Sequence, residues 1–406
     1  MAAGKSKKKN KKRAAVIFII LLIVVIALAY SYSMGYLDPV IELVNKYTGQ
    51  QIPSEPGSGS NDNPDSGTGD GSTGIDESYD LKNYLDSTPP VTVPAAGDLN
   101  VHFVNVGQGD CIIIQFPDGA NMIIDAGSVY NSNTIRDLIL EYIDNLGITV
   151  FDYLMLTHTD GDHIYYMDDV ILRYDILNFY SPSTSTSQAT SKAYKAYIDA
   201  RDAESGAAYY INASGLCIEG AGYRIDFYSP SESFYSDVNN YSPIIILQYA
   251  GRKLMFVGDA EKEAEEEFLE NNPGGIDVDL LKVGHHGSET SSTQDFIDAV
   301  KPEYAVICVN VQQALAKKWI HPNPDVLARL AGINCTVYRT DLRGNIVLTV
   351  NSAGVFKFTC KMEESESGLV KEVENKNAAV PSVENEWCIV TACFVFASKN
   401  SYTVCL

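Results

Sequence analysis

The sequence is poor in histidine, with six in 406 residues, and no two of its eight cysteines stand as a CxxC pair. The missing CxxC excludes a structural zinc knuckle and a thioredoxin-type redox motif. Basic residues are scarce beyond the thirteenth position. Seven of the 30 are Lys5, Lys7, Lys8, Lys9, Lys11, Lys12 and Arg13, which leaves 23 against 52 acidic ones. So acidic a surface repels polyanions at long range and excludes broad electrostatic capture of nucleic acid, although a bound divalent cation inverts the potential inside one cleft. There is no internal repeat. Cys111, Cys308 and Cys335 fall in strand-like runs and read as small buried hydrophobes. The even cysteine count of an exported chain permits disulfides but assigns none.

Hydrophobic residues make up 45% of the chain and charged residues 20%, the proportions of a globular protein with a substantial core. The basic head, residues 1–13, is followed at 14–30 by an uncharged apolar run, AAVIFIILLIVVIALAY. With its flank to residue 33 this run reaches the ~20 residues that cross a bilayer as a helix, and the basic cluster keeps the N-terminus cytoplasmic. The expectation is a single-pass anchor at 14–33 in the cell membrane, with everything after it extracytoplasmic. The competing reading is a signal peptide cleaved near Ala27-Leu28-Ala29, which exports the same domain as a secreted protein. Residues 34–96 are expected to be a mostly disordered linker, because PSEPGSGSNDNPDSGTGDGSTG at 53–74 has almost no apolar side chain to offset its chain entropy. A globular domain is expected over 97–360 and a tail of unassigned role over 361–406, and no feature sets the oligomeric state.

Within the domain the apolar pattern is that of a layered α/β protein. Strands are expected at Asn100–Val106, Cys111–Phe116, Asn121–Ile124, Tyr153–Leu156, Tyr223–Tyr228, Pro243–Tyr249, Lys253–Val257, Asp279–Val283, Tyr304–Val309 and Ile346–Thr349. Helices are expected at Asn133–Leu146, Ser191–Asp202, Glu261–Asn271, Ser292–Val300 and Pro324–Ala331. Hairpins come first and strand–helix alternation follows, which suits two mixed sheets face to face with helices outside.

Three strand exits carry chemistry. Leu154-Met155-Leu156 ends in Thr157-His158-Thr159-Asp160-Gly161-Asp162-His163, so four potential ligands share one loop. Imidazole and carboxylate are the donors that suit zinc, manganese or iron. The bland alternative is an acidic turn that caps a helix. Leu254-Met255-Phe256-Val257 ends in Gly258-Asp259-Ala260-Glu261, and Asp279–Val283 ends in Gly284-His285-His286-Gly287-Ser288. With His321, five of the six histidines fall where a site is plausible.

The segments HFVNVGQGDCIIIQFPDGANMIIDAG, LMLTHTDGDH, NNYSPIIILQYAGRKLMFVGDAE, DLLKVGHHGSETS and YRTDLRGNIVLTV, in unbroken order over about residues 99–350, resemble the metallo-β-lactamase-type domain of ComEC-like competence proteins. The resemblance implies an α/β fold, the αββα sandwich, with a metal site on one edge of two sheets. It implies His158 and Asp160 as ligands of one ion, Asp162, His163 and His285 as ligands of a second, and Asp259 bridging, with Asp125 bracing the loop from behind. The wider pattern HxHxDH has Asp160 in place of its middle histidine, and no histidine occurs between His163 and His285. Asn239-Asn240-Tyr241-Ser242 occupies that region, so Asn240 and Ser242 are the candidate supporting oxygens. The cofactor implied is one or two divalent ions, zinc or manganese. Tyr165 and Tyr166 stand where the family has small glycines, and either line the cleft or simply pack.

His285 is expected to be the ligand and His286 to face substrate, because His285 is nearer the strand end. Asp162 or His286 is expected to manage protons, and His321 to contact a leaving group or phosphate. Metal-activated water acting on a phosphodiester, DNA included, is the first functional expectation. The alternatives are hydrolysis of another envelope ester, lactone or lactam, and a metal-binding adaptor of an uptake or envelope complex without turnover.

Overall fold

A computed structural model describes residues 85–91, 93–182, 191–232, 235–311, 314, 317–361, 387–390, 393–396 and 402–405, all within a compact unit spanning Ile75–Leu406. The basic head, the membrane run expected at 14–33 and most of the expected linker lie outside the described residues. Among the described residues no helix is long and apolar enough to cross a membrane.

Strands are numbered along the chain. The first sheet runs β17 (Phe356–Cys360), β16 (Ile346–Val350), β1 (Leu99–Phe103), β2 (Cys111–Gln115), β3 (Asn121–Ala126), β5 (Tyr153–Met155), β7 (Asn178–Ser181), β8 (Ala208–Ile211). The second runs β15 (Thr336–Arg339), β14 (Tyr304–Ile307), β13 (Leu280–Lys282), β12 (Arg252–Phe256), β11 (Ile244–Tyr249), β10 (Tyr223–Tyr228), β9 (Cys217–Glu219). β4 (Val150–Phe151) and β6 (Asp175–Ile176) form a small parallel pair. In the tail, β18 (Trp387–Val390), β19 (Cys393–Phe396) and β20 (Tyr402–Cys405) pair antiparallel.

Each large sheet is antiparallel in one half and parallel in the other. The parallel strands are β3, β5, β7 and β8 in the first sheet and β12, β13, β14 and β15 in the second. The apolar pattern explains the layers. Val101, Phe103, Ile112, Ile114, Met122 and Ile124 of the first sheet meet Ile225, Phe227, Ile245, Leu247, Leu254 and Phe256 of the second in one buried layer. Residues of opposite parity, Ile113 and Ile123, face the other way, onto helices Asn133–Asn145 and Met167–Arg173. Met255 and Leu281 likewise pack on helices Lys262–Asn271, Gln294–Val300 and Pro324–Gly332. Strands buried on both faces, such as β2 with its run CIIIQ, read as continuous apolar segments for this reason. Helix Asn133–Asn145 buries Ile135, Leu138, Ile139, Tyr142 and Ile143, the three-four spacing of an amphipathic helix. Ser132 caps it by accepting from Thr134 N at 3.2 Å.

The expected strands and helices appear within about three residues of their predicted bounds, a normal scatter for element ends, and the order is helix, sheet, sheet, helix. Strands β7, β8, β9, β15 and β17 were not expected. Packing also reaches N-terminal of the boundary expected at residue 97: Leu85 is buried in the first helical layer, and Asp86 O accepts from Asn345 Nδ2 at 2.6 Å. Cys111, Cys308 and Cys335 are buried free thiols.

Candidate metal centre

The carboxyl ends of the parallel strands β3, β5, β12, β13 and β14 lie along one edge, and their exits supply the site. Asp125 is the first unusual residue. At the end of β3 the register slips so that Cys111 and Ile112 pair with Ala126 and Ile124, leaving Asp125 as an unpaired bulge with φ of 57°. A bulge re-aims a side chain, and aspartate tolerates this left-handed region better than most residues. The carboxylate then accepts from Thr157 N at 2.8 Å, Thr157 Oγ1 at 2.6 Å and His163 Nδ1 at 2.8 Å.

Asp162, His163, Asp259 and His286 each bring a donor atom within 4.8 Å of the others. Asp259 is the hub. Its Oδ1 lies 3.2 Å from His163 Nε2, and its Oδ2 lies 3.5 Å from His286 Nε2, 3.8 Å from His285 Nε2 and 4.0 Å from His158 Nε2. His286 Nε2 is 3.3 Å from Asp162 Oδ2.

Hydrogen bonding fixes the ring nitrogens. His163 Nδ1 donates to Asp125, and His286 Nδ1 donates to Cys308 O at 2.7 Å. Thr157 gives its own hydroxyl proton to Asp125, so His158 Nδ1 donates to Thr157 Oγ1 at 3.1 Å. In all three rings Nε2 is therefore the bare nitrogen. His158 Nε2, His163 Nε2, His286 Nε2 and Asp259 Oδ1 are buried and make no hydrogen bond. Four buried polar atoms without partners, three of them on residues of one cluster and His158 Nε2 4.0 Å from Asp259 Oδ2, are costly unless something cationic sits among them. The donor set thus fits a divalent ion, with the Nδ1 partners supplying the orientation such ligands need.

The electrostatics agree. Burial resists ionisation of Asp259, but His163, His286 and His285 around it hold its pKa well below the usual carboxylate range. Asp162 is also held low: burial is outweighed by its contact with His286 and by His163. His163 behaves oppositely to His158. Burial opposes its proton too, yet Asp259 and Asp125 raise it well above the usual imidazole value, whereas burial and His163 push His158 down to about 3. A cation and a proton therefore compete for His163 Nε2. Burial, then Asp162, push Asp160 up to about 7.

The predicted residues divide. Asp162, His163, Asp259 and His286 converge, with Asp125 behind them, and His158 stands beside this four-residue group with its Nε2 4.0 Å from Asp259 Oδ2. Asp160 precedes the helical turn Gly161–Ile164 without capping it by its side chain and is outside the four-residue group. His285, the expected ligand, is at the rim: its Nδ1 is 3.0 Å from Glu261 Oε1, and its side chain is 22% exposed against 1% for His286. Both histidines lie in the left-handed region, at φ 45° and 52°. That double turn carries His286 inward and His285 outward, and it costs about 1–3 kcal/mol per residue. Ser242 Oγ supports the loop, accepting from Asp259 N at 3.2 Å and lying 3.3 Å from His158 Nδ1. Asn240 Oδ1 does not face the ligands; it accepts from Glu261 N and Ala264 N at 3.1 and 3.2 Å and starts the next helix. Tyr166 is packed, its hydroxyl donating to Tyr130 O at 2.6 Å. His321 lies at the cleft wall, its ring 5.4 Å from that of His285.

Sequence reasoning missed Asp110, Lys282, Gln108 and Glu261. Lys282 had a legible signal, a charge inside the buried strand LLK, because a lysine there must be paired. It lies 2.8 Å from Asp110 Oδ2. Gly127 was missed as well: a Cβ there would stand 2.3 Å from Asp162 C and His163 N, so the ligand loop can approach only a glycine.

Fold and site together define a candidate metal centre at the edge of a sandwich of the metallo-β-lactamase type. The family model described as the Metallo-beta-lactamase superfamily matches residues 104–309, and the chain belongs to that superfamily. Among curated proteins it is 29% identical over 259 residues to ComE operon protein 3 of Bacillus subtilis, covering 61% of this chain and 32% of that one. It is 27% identical over 255 residues to competence protein ComA of Neisseria gonorrhoeae, covering 62% and 32%. The chain thus spans about a third of the length of these relatives. The solved metallo-beta-lactamase fold protein YhfI of Bacillus subtilis aligns over 62% of this chain and 99% of its own, with TM-score 0.39 and 11% identity.

Proposed function

We propose that this chain is a metal-dependent phosphodiesterase of the nuclease type, acting outside the cell membrane to which residues 14–33 tether it. The observation that carries the reading is the convergence of the bare Nε2 atoms of His163 and His286 and the Asp259 and Asp162 carboxylates on one buried point, with the bare His158 Nε2 beside them, 4.0 Å from Asp259 Oδ2. Zinc or manganese suits such a mixed nitrogen and oxygen set. An ion held there supplies Lewis-acid polarisation and activation of water. His158, His163 and His286 would hold it through Nε2, with Asp259 between them.

The chain's own groups do the rest. Asp162 is the most exposed of the four clustered residues, with 16% of its side chain accessible, and its ionised Oδ2 is placed to orient the attacking water by accepting a hydrogen bond from it. Burial opposes a proton on His285, but Asp259 and Glu261 outweigh it and raise its pKa to about 9. The ring stands at the rim, 22% exposed, as a hydrogen-bond donor to a phosphodiester, and the cation held below it would offset a formal net charge of −22 inside the cleft. A further similar protein, of Haemophilus influenzae, is named recombination protein 2, and that name supports a nucleic-acid substrate.

The test is turnover of single-stranded DNA and of bis-p-nitrophenyl phosphate by the metal-loaded chain, beside an Asp162→Ala/His163→Ala variant. The expected result is metal-dependent cleavage lost in the variant. Equal rates with and without metal on both substrates would overturn the enzyme reading in favour of a cation-holding adaptor. Membrane tethering is tested separately, by whether deleting residues 1–33 releases the domain from the membrane fraction.

A further inference from the structure

Gln108 is wholly buried in the turn between β1 and β2, a position to which the site described above gives no task. Its side chain contacts two groups of known or deducible polarity. Asn310 N lies 3.1 Å from its Oε1, and a backbone nitrogen can only donate, so the oxygen end of the amide is the one facing Asn310. The NH2 end therefore faces His321 Nδ1, at 3.2 Å. An amide nitrogen also only donates. His321 Nδ1 must accept.

We infer that Gln108 is a positioning residue that locks His321 in its neutral Nε2–H tautomer, presenting an uncharged N–H donor to an oxygen of the substrate. The ring is fixed on two further sides, stacked on Trp319 at 5.8 Å between centroids and meeting the edge of His285 at 5.4 Å. The neighbouring Pro322 packs on Gly287, so the ring's position is coupled to the loop that carries His286. Burial, then the neighbouring His286 and His285, lower its pKa to about 3, in keeping with a neutral ring. His321 then acts as a fixed hydrogen-bond donor to an oxygen on which negative charge develops, a contribution that needs no proton transfer. No bond to hydrogen breaks.

The tautomer is independent of the proposed phosphodiesterase reading, and only the role of the N–H in turnover rests on it. The experiment is the 15N spectrum of the full chain, labelled at histidine and loaded with diamagnetic zinc near neutral pH, with the His321 resonances identified by their loss in His321→Gln. A pyridine-like Nδ1 with a pyrrole-like Nε2 is expected; a pyrrole-like Nδ1, or an imidazolium, overturns the inference whatever the activity. Gln108→Glu replaces the donor by an acceptor and should move the Nδ1 resonance to the pyrrole-like range. The same variant should lower kcat on bis-p-nitrophenyl phosphate about 10–100-fold, as loss of an orienting partner does elsewhere, with KM little changed. An Nδ1 resonance that stays pyridine-like in Gln108→Glu, or an unchanged kcat, overturns the positioning role. If the unmodified chain cleaves no phosphodiester, the hydrolase reading fails while the spectrum still decides the tautomer.

Discussion

Lys282 Nζ lies 2.8 Å from Asp110 Oδ2, with the lysine side chain fully buried and the aspartate 2% exposed. Lys282 also donates to Val283 O at 3.0 Å, and Asp110 N donates to Asp162 O at 3.0 Å. The pair thus ties the end of β13 to the start of β2 directly behind the ligand loop. Burial alone would strip the lysine of its proton, yet Asp110 raises its pKa above the ordinary value. Removing one partner leaves an uncompensated buried charge, so Lys282→Met should cost about 3–5 kcal/mol in denaturant unfolding. Lys282→Met/Asp110→Asn should recover most of that. A single-variant loss below about 1 kcal/mol, the scale of a solvated pair, would show that the interior here is wet.

His102 is the histidine that lies away from the site. Its Nε2 is 3.1 Å from Gln115 Oε1 and its Nδ1 is 3.0 Å from Tyr142 OH, which makes it a satisfied core residue. Burial lowers its pKa from 6.5 to about 4. Between these values the unfolded chain binds a proton that the folded chain does not, so stability falls as pH falls through this window. The contribution is about 3 kcal/mol when fully expressed. The measurement is the unfolding free energy of the wild-type chain against pH beside that of His102→Gln. The wild-type curve should drop more steeply between about pH 6.5 and about pH 4, and parallel curves would contradict the assignment.

The fold was largely legible because its core strands are buried on both faces and announce themselves as apolar runs. β8, with Tyr209, Tyr210 and Ile211 exposed, and β9, with its alternating exposure, lack that signal and were missed. The loop from His158 to His163 was legible as a candidate site because its potential donors are adjacent in sequence. The choice between His285 and His286 was not. Distance from the strand end favours His285, but two consecutive left-handed residues reverse which ring points inward, and no local pattern encodes that turn. Gln108 and Asp110 were equally hidden, since their partners His321 and Lys282 are remote in sequence.

Asp125→Asn tests the brace behind the ligands. The bulge conformation suits asparagine as well as aspartate, so the fold should survive. Thr157 N keeps the remaining oxygen, and the amide NH2 then faces Thr157 Oγ1 and His163 Nδ1, both of which donate to Asp125 in the unmodified chain. His163 can relieve the clash only by moving its proton to Nε2, where it blocks the lone pair aimed at Asp259. Metal affinity, measured by competition with a chromophoric chelator, should fall about 10–100-fold. Unchanged affinity would mean that Asp125 does not set the tautomer of His163.

His285→Ala and His286→Ala separate the two rings. His286 has its Nδ1 anchored on Cys308 O and its bare Nε2 within 3.5 Å of both Asp162 and Asp259. His285 is tied through Nδ1 to Glu261 and Thr290, and its Nε2 is 3.8 Å from Asp259. Losing a ligand costs more than losing a rim contact, so His286→Ala should weaken metal binding at least about tenfold more than His285→Ala, on the scale of a lost ligand or its partner. His285→Ala should instead raise KM for an anionic substrate, because the ring is the more exposed of the two at the cleft rim. Metal titrations of the two variants decide the matter. A larger loss in His285→Ala would return the ligand role to the residue nearer the strand and leave His286 as the group that faces substrate.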